Sequence, residues 1–172
     1  MPTVRSNPDR MHKPLALLAV LSLLSVFNAG AAEVTYESPA EVVGKTFPAL
    51  NVEFIGDKPA YEGKARIVEF WATWCPPCRA SIPHLNETYK KFKDKGLVVV
   101  GITDESKEKV DTFRTKIPMD YSVGIDSSGA LLKQLAIQGI PQAFVLNKKG
   151  VVVWEGHPME LKEATLEKVL AE

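Results

Sequence analysis

The sequence predicts an α/β fold in which helices flank both faces of a central mixed β-sheet. Short runs rich in β-branched and aromatic residues alternate with segments whose apolar residues recur at helical spacing, and this alternation favours parallel strand pairing. Two further apolar runs, residues 142–147 and 151–155, flank a Lys-Lys-Gly turn and predict a closing antiparallel hairpin. The 172 residues are enough for one such domain and a targeting segment.

The first half of the domain is predicted to contain an edge strand, a buried strand and a long helix. Residues 46–55 alternate in polarity and favour the edge strand, whereas residues 65–71 form a nearly continuous apolar run, which is typical of a strand buried on both faces. The long helix is expected to open at residues 75–78, to carry an apolar stripe and to end at Gly96. Pro83 lies inside this helix and is expected to kink it.

The second half is predicted to contain two more strands before the hairpin and three more helices. The strands are expected at residues 97–103 and 121–125. Residue types that cap helix N-termini precede the first two helices, one over residues 107–116 and one that runs to Ala136. The candidate caps are Asp104, Ser106, Ser127 and Ser128. The last helix follows Pro158.

The N-terminus has the composition of a secretory signal peptide. A basic region precedes the uncharged apolar run of residues 15–27, and small residues that suit signal peptidase follow this run and end at Ala32. We therefore expect a signal peptide over residues 1–32 and one domain over residues 33–172.

Two features of this leader have alternatives. Residues 15–32 carry no charge, so an uncleaved membrane anchor is the alternative to a cleaved peptide. Met11 is an alternative start, because basic residues follow it directly. In every case the sequence predicts that the folded domain lies outside the cytoplasm, in the periplasm or facing it.

The balance of charge excludes one class of partner. The chain has 21 basic and 21 acidic residues and thus no net charge. A protein that binds nucleic acid through its phosphates needs a basic surplus, so nucleic acid is not expected as a partner.

Cys75 and Cys78 are the only cysteines of the chain, and they lie where a predicted strand meets a predicted helix. A structural disulfide across so short a loop would constrain the unfolded chain little. A metal site would need further ligands, and the chain has neither a second cysteine pair nor histidines at ligand-like spacing. Haem attachment is excluded because Arg79 follows Cys78. A redox centre without metal or cofactor is therefore favoured, with the structural disulfide and the metal site as alternatives.

The predicted helix N-terminus points to Cys75 as the attacking thiol. The thiolate is the nucleophile, and the dipole and free N–H groups of a helix N-terminus lower the pKa of a thiol. Cys75 is expected at the exposed end of the helix. Cys78, one turn further on, is expected to be more buried and to resolve a mixed disulfide.

Residues 70–79, Phe-Trp-Ala-Thr-Trp-Cys-Pro-Pro-Cys-Arg, resemble the active-site stretch of thioredoxin-like proteins. The most similar branch is the secreted TlpA/ResA/DsbE-like reductases, which are grouped with the redoxins. Residues 139–141, Gly-Ile-Pro, resemble the cis-proline loop of this family, and residues 44–48 resemble the lead-in to its core. The resemblance covers residues 43–171 and implies a thioredoxin-like fold with thiol–disulfide oxidoreductase activity.

Glu69 is a charged residue inside an apolar strand, on the same face as Trp71. Burial without a cation raises the pKa of a carboxylate, and the strand at 97–103 offers no lysine as a partner. The resemblance implies that Glu69 takes the proton of Cys78. The alternative is a solvated carboxylate at the rim of the sheet. Some members of this branch place a glutamate three residues after the second cysteine, where this chain has Ser81.

The resemblance also implies which residues contact the substrate. It implies a cis Pro141 in a loop that faces Cys75, and an Ile140 backbone that pairs with an extended substrate chain by strand addition. An ordinary trans-proline turn is the alternative for Pro141. The other expected substrate-binding residues are Trp74, Pro76 and Pro77.

The two prolines between the cysteines bear on the direction of electron flow. Pro77 has no N–H with which to stabilise the Cys75 thiolate, and a less stabilised thiolate gives a less oxidising disulfide. We therefore expect a monomeric, extracytoplasmic reductase that reduces oxidised substrate proteins through a mixed disulfide. By resemblance, apocytochrome c is among the substrates and a membrane thiol relay recharges the enzyme.

Three other functions stay open. The same residues could serve a disulfide oxidase or isomerase. A peroxidase on the related peroxiredoxin scaffold is less favoured, because that family has a threonine three residues before its cysteine and Thr73 lies two before Cys75. The third is a binding module in which the Cys75–Cys78 disulfide is inert.

Overall fold

The computed structural model describes residues 42–172, which form one six-stranded sheet with helices on both faces. The predicted leader, residues 1–32, and the expected start of the domain at residue 33 lie outside the described residues. Within the described part of the chain, no helix combines the length and the apolar character needed to cross a membrane.

The sheet is mixed, as the sequence predicts. In chain order its strands are β1 (Glu53–Phe54), β2 (Arg66–Phe70), β3 (Val98–Thr103), β4 (Ser122–Ile125), β5 (Gln142–Leu146) and β6 (Val152–Gly156). They lie side by side in the order β1-β4-β3-β2-β5-β6. Strands β2, β3 and β4 are parallel, whereas β1, β5 and β6 pair antiparallel with their neighbours. Strand β2 is therefore central and fully buried, and it ends just before the cysteines.

The helices cover the two faces of the sheet unequally. They are α1 (Pro76–Phe92), α2 (Lys107–Arg114), α3 (Ala130–Gln134) and α4 (Glu163–Ala171), and short 3-10 helices occupy Lys93–Lys95 and Pro158–Glu160. Apolar residues of α1, α2 and α4 pack on one face of the sheet. Helix α3 and the segment before β2 pack on the other. The face under α1 holds the odd-numbered residues of β2, which include Ile67 and Glu69.

Helix α1 begins where the sequence predicts but ends at Phe92, before the predicted end at Gly96, and the 3-10 helix Lys93–Lys95 fills the interval. Pro76 and Pro77 occupy its first turn, where a missing N–H costs nothing because no carbonyl lies within reach. The helix is continuous through Pro83, which lies on its exposed side. Gly96, with a φ of 95°, ends the helical segment in the left-handed region that glycine adopts readily.

The predicted edge strand at residues 46–55 is wrong in its extent. Thr46 forms a bridge to Val151 at the β6 side of the sheet, whereas β1 pairs with β4 at the opposite edge. Pro48 lies between these two pairings and cannot donate a ladder hydrogen bond. The segment thus crosses one face of the sheet and contributes to both edges.

The helix caps are partly as predicted. Ser106 caps α2 and accepts a hydrogen bond from the backbone N of Lys109 at 3.4 Å. Helix α3 ends at Gln134 instead of Ala136, whose φ of 50° is not helical. Its first turn is held chiefly by Asp126, which accepts from the backbone N of Leu131 at 2.8 Å and was not among the predicted caps.

Candidate active site

The two cysteines lie at the N-terminus of α1, directly after the central strand β2. Cys75 caps the helix and forms a disulfide bond with Cys78. The Cys75 sulfur accepts a hydrogen bond from the backbone N of Cys78 at 3.3 Å and lies 3.7 Å from the carbonyl oxygen of Ile140. The fold thus places one sulfur among the free N–H groups of a helix and beside the backbone of the Ile140 loop.

Cys75 is less accessible than the sequence predicts. It is 2% exposed in the disulfide form and Cys78 is 0% exposed, so the expectation of an exposed Cys75 is wrong for this form. The Ile140 carbonyl packs against the sulfur from one side. The neighbouring Trp74, in contrast, is 65% exposed.

The Ile140–Pro141 peptide bond is cis, as predicted. The loop that contains it separates two grooves, and Ile140 lines both. The first groove, of about 340 Å³, is also lined by Pro77, Glu155 and His157. Burial raises the pKa of Glu155 above its ordinary value. We call this groove the Pro77 groove.

The second groove, of about 250 Å³, lies on the other side of the same loop and is called the Trp74 groove. Ala72, Trp74 and Ile137 line it, and apolar side chains of the core form its floor. The predicted substrate-binding residues therefore surround the disulfide: Trp74, Pro76 and Pro77 are exposed and Ile140 is half-buried.

Glu69 is fully buried on the face of the sheet that α1 covers. Its Oε1 accepts a hydrogen bond from the Ser81 hydroxyl at 2.9 Å, and its Oε2 accepts one from the Tyr121 hydroxyl at 3.3 Å. Burial raises the pKa of Glu69 to about 8, and the two hydrogen bonds oppose that rise. The alternative of a solvated carboxylate at the rim of the sheet is therefore wrong.

The neighbouring strand β3 places a glycine, and no cationic side chain, opposite Glu69. Gly101 of β3 lies opposite Glu69 in the sheet, and a Cβ at Gly101 would lie 2.9 Å from Nε1 of Trp71 and 3.3 Å from Cε2 of Tyr121. The absent side chain is what admits Tyr121 to the carboxylate. The sequence prediction missed Tyr121, although a glycine inside a buried strand signals close approach of another group.

A second carboxylate holds the loop before Cys75. Glu105 accepts hydrogen bonds from the backbone N of Thr73 at 2.5 Å and from its hydroxyl at 2.9 Å, and it pairs with Lys109 at 2.5 Å. Although burial raises the pKa of Glu105, the hydrogen bonds from Lys109 and Thr73 hold it below its ordinary value. Glu105 thereby fixes the backbone that carries Trp74, a role that the sequence prediction missed.

This arrangement suits thiol–disulfide exchange. A sulfur at a helix N-terminus has N–H groups that stabilise its thiolate, and a buried acid behind the helix can take up a proton. Between residues 42 and 172, no three His, Cys, Asp or Glu side chains are grouped so that they could hold a metal ion.

Comparison with known proteins agrees with this chemistry. Residues 44–155 match the AhpC/TSA family. The chain belongs to that family. Thiol-disulfide oxidoreductase ResA of Bacillus cereus (strain ATCC 10987 / NRS 248) is 33% identical over 160 residues, which cover 90% of this chain and 92% of the relative. Thiol:disulfide interchange protein DsbE of Pseudomonas fluorescens biotype C is 34% identical over 143 residues, 78% of each chain.

Solved structures of thioredoxin-like proteins share the fold. The thioredoxin domain of a thiol-disulfide oxidoreductase from Bacteroides vulgatus matches with a TM-score of 0.65 and 26% identity, over 74% of this chain and 97% of that chain. A thiol:disulfide interchange protein of the thioredoxin family from Chlorobium tepidum TLS matches with a TM-score of 0.54 and 30% identity, over 65% and 81%. This family member is thus a thioredoxin-like thiol–disulfide oxidoreductase of the ResA/DsbE type that exchanges disulfides with substrate proteins.

Proposed function

We propose that this protein is an extracytoplasmic reductase of disulfides in exported proteins. The observation that carries the proposal is the hydrogen bond from the backbone N of Cys78 to the Cys75 sulfur at the N-terminus of α1. This N–H stabilises a Cys75 thiolate, and the thiolate is the species that attacks a disulfide.

The reaction begins when the reduced protein meets an oxidised substrate. The Cys75 thiolate attacks one sulfur of the substrate disulfide, an S–S bond forms between enzyme and substrate, and the other substrate sulfur leaves as a thiolate. Cys78 then loses its proton and attacks the Cys75 sulfur. The second substrate thiolate leaves, the Cys75–Cys78 disulfide forms, and two electrons have passed to the substrate.

Glu69 is the proposed acceptor of the Cys78 proton. The carboxylate is buried behind α1, and its Ser81 partner also contacts the carbonyl oxygen of Cys78 at 2.8 Å. The Glu69 pKa of about 8 is close to the ordinary pKa of a thiol, so proton transfer from Cys78 to the ionised form of Glu69 is nearly balanced in free energy, and this ionised form becomes more abundant as pH rises toward 8.

The substrate chain is proposed to bind along the Ile140 loop. An extended segment that pairs with the Ile140 backbone would lie next to the Cys75 sulfur, which is 3.7 Å from the Ile140 carbonyl. Its side chains would enter the Pro77 and Trp74 grooves on either side, and Trp74, Pro76, Pro77 and Pro141 would contact it. Apocytochrome c is proposed as one such substrate.

Location and partners are proposed from the leader. A signal peptide or a membrane anchor over residues 1–32 would place the domain, residues 33–172, in the periplasm or facing it. No soluble reductant is expected there, so a membrane thiol relay would return the Cys75–Cys78 disulfide to the dithiol. A monomer is sufficient for this cycle.

The direction of electron flow is proposed from Pro77. This residue lies between the two cysteines in the first turn of α1 and has no N–H to offer the Cys75 thiolate. A disulfide is strongly oxidising when its reduced form is strongly stabilised. Because the Cys75 thiolate lacks this N–H donor, the Cys75–Cys78 disulfide should be a weaker oxidant than one whose thiolate has it. Equilibration with a glutathione buffer measures the reduction potential. A value well below about −120 mV is expected, and a value near −120 mV would support an oxidase instead.

Reduction of insulin disulfides tests the activity. The wild type should reduce insulin in the presence of a chemical reductant, and Cys75→Ser should abolish the reaction. Activity that persists in Cys75→Ser, or that never occurs in the wild type, would contradict the catalytic role of Cys75. Peroxide consumption is expected to be negligible, because the Thr73 hydroxyl is bound to Glu105.

Trapping on Cys78→Ser identifies the substrate. Without Cys78 the mixed disulfide on Cys75 is not resolved, so a bound partner stays attached. Mass spectrometry of the trapped species, from cells that express the full chain, is expected to give exported proteins with paired cysteines. Capture of cytoplasmic proteins alone would contradict the proposed location.

A further inference from the structure

Ser81 lies between two acceptors that compete for one hydrogen. Its Oγ is 2.9 Å from Oε1 of Glu69 and 2.8 Å from the carbonyl oxygen of Cys78. A hydroxyl has a single hydrogen to donate, and an ionised carboxylate is a stronger acceptor than a carbonyl. When Glu69 is protonated, its own O–H can donate to Oγ, and the Ser81 hydrogen is then free for Cys78.

Tyr121 holds the other oxygen of the same carboxylate. Its hydroxyl is 3.3 Å from Oε2 of Glu69, and it approaches from the β4 side of the site across the space left by Gly101. Glu69 and Ser81 are 0% exposed and Tyr121 is 3% exposed, so water does not compete freely for these contacts. The carboxylate is therefore held by one hydrogen bond from Ser81 on the α1 side and by another from Tyr121 on the β4 side.

In the part of the chain that the structure describes, few other groups near Glu69 can respond to pH. Strands β3 and β5 place Gly101 and Ala143 opposite Glu69, and neither titrates. From α1, Cys78 does not titrate while it is in the disulfide. The oxidised protein therefore reports the protonation of Glu69 without interference from the cysteines.

Among residues 42–172, Tyr121 is the remaining titratable group in contact with Glu69. Burial and the nearby Glu69 charge raise the pKa of Tyr121 well above its ordinary value, so the phenol stays neutral while Glu69 titrates. The charged groups that also act on Tyr121 are Arg114 and Asp120.

We propose that Ser81 and Tyr121 are positioning residues of Glu69, and that the Ser81 hydroxyl turns its one hydrogen from Glu69 to the Cys78 carbonyl when Glu69 becomes protonated. The geometry that carries this is the pair of short contacts of Ser81 and the separate contact of Tyr121 with the opposite oxygen. The inference rests on the proposed role of Glu69 as the acceptor of the Cys78 proton. In that cycle, proton uptake by Glu69 would be signalled to the first turn of α1.

Carbon-13 NMR of the Glu69 carboxyl, followed against pH in the oxidised protein, tests whether Ser81 and Tyr121 position Glu69. The wild type should titrate with a midpoint of about 8. Ser81→Ala and Tyr121→Phe each remove a donor that favours the ionised form, so the midpoint should rise in both, by about one pH unit for Ser81→Ala and by less for the longer Tyr121 bond.

Thr88→Val is the matched control. Thr88 is a buried hydroxyl-bearing residue on the same helix without a hydrogen bond to Glu69, and the replacement keeps its shape. Its midpoint should equal that of the wild type. Unchanged midpoints in folded Ser81→Ala and Tyr121→Phe would overturn the proposal, and so would an equal rise in Thr88→Val.

The carbon-13 chemical shift of the Cys78 carbonyl tests whether the Ser81 hydroxyl switches partners. Its chemical shift in the wild type should change with the same midpoint as Glu69, and Glu69→Gln should abolish this change. Ser81→Ala should lose most of the change, whereas Tyr121→Phe should keep it at the shifted midpoint. An undiminished Cys78 response in Ser81→Ala would show that Ser81 does not switch partners.

These measurements separate the inference from the proposed function. They use the oxidised protein and need no turnover. If insulin reduction were absent while the midpoints moved as expected, the proposed function would fail and the roles of Ser81 and Tyr121 would stand. If insulin reduction were normal and the midpoints of Ser81→Ala and Tyr121→Phe unchanged, the proposed function would stand and the roles of Ser81 and Tyr121 would fail.

Discussion

The Glu105 carboxylate accepts two hydrogen bonds from Thr73, one from its backbone N and one from its hydroxyl. The two residues are 32 positions apart, and the contact ties the loop before Cys75 to the end of β3. The active-site loop is thus fixed by a side chain that does not itself touch either cysteine.

Glu105→Ala is expected to lower the free energy of unfolding by about 1–3 kcal/mol, because the Thr73 N–H loses its partner in a partly buried site. Urea denaturation measures this, and Glu108→Ala, at an exposed residue of α2, is the control. Loss of loop order should also slow insulin reduction. A variant as stable and active as Glu108→Ala would show that the contact is not needed.

The stability that Glu105 contributes should depend on pH. Its pKa is held below the ordinary value of 4.5 in the folded state, so the contribution is present at neutral pH and is lost as pH falls below about 4.5 through the folded pKa. The difference in unfolding free energy between wild type and Glu105→Ala should therefore shrink in acid. A difference that grows there would contradict the direction of this pKa shift.

The stability that Glu69 contributes should change with pH in the opposite direction. Its folded pKa of about 8 lies above the ordinary 4.5, so between these values the folded protein keeps a proton that the unfolded chain loses. The free energy of unfolding should fall as pH rises through this window, by an amount on the order of a few kcal/mol. Stability present below about pH 4.5 is thus lost as pH passes 8.

Glu69→Gln removes this titration and keeps the shape of the side chain. Urea denaturation of the oxidised protein at pH 5 and pH 9 should show a smaller loss of stability in Glu69→Gln than in the wild type. Glu167→Gln, at an exposed residue of α4, should behave like the wild type. Equal losses in wild type and Glu69→Gln would mean that Glu69 does not titrate in this range.

Gly101→Ala is expected to destabilise the protein through crowding. Its Cβ would lie 2.9 Å from Nε1 of Trp71, a ring that is 2% exposed and cannot move freely. Overpacking of this kind costs about 1–3 kcal/mol, which thermal or urea unfolding measures. Gly139→Ala is the control, because a Cβ at Gly139 would have no described atom within 4 Å apart from those of its two chain neighbours. Equal stability of the two variants would show that Trp71 and Tyr121 yield at no cost.

The sequence was sufficient for the parts of the site that are close together along the chain. The strand that ends at Phe70, the cysteine cap and the prolines of α1 are local patterns, and the position of Glu69 in an apolar strand already indicated a buried acid. The cis bond before Pro141 followed from resemblance and is present.

The partners of the two carboxylates could not be predicted, because tertiary packing brings them together. Tyr121 is 52 residues from Glu69, and only the sheet order places them side by side. Glu105 follows β3, where a polar residue is equally typical of a helix cap, so its contact with Thr73 has no local pattern. The exposure of Cys75 was mispredicted for the same reason, since the Ile140 loop that covers it is distant in sequence.

The central claim is that Cys75, and not Cys78, is the attacking thiol. Exposure does not separate them, because both sulfurs are buried in the disulfide form. The position of Cys75 at the helix cap separates the two cysteines, because its sulfur accepts a hydrogen bond from the backbone N–H of Cys78. Alkylation of the reduced protein with limiting iodoacetamide at pH 7, followed by peptide mass spectrometry, measures the two reactivities. Cys75 should be modified first, with Cys78 about tenfold slower or more, because the thiolate is the reactive form. Faster or equal modification of Cys78 would contradict the account.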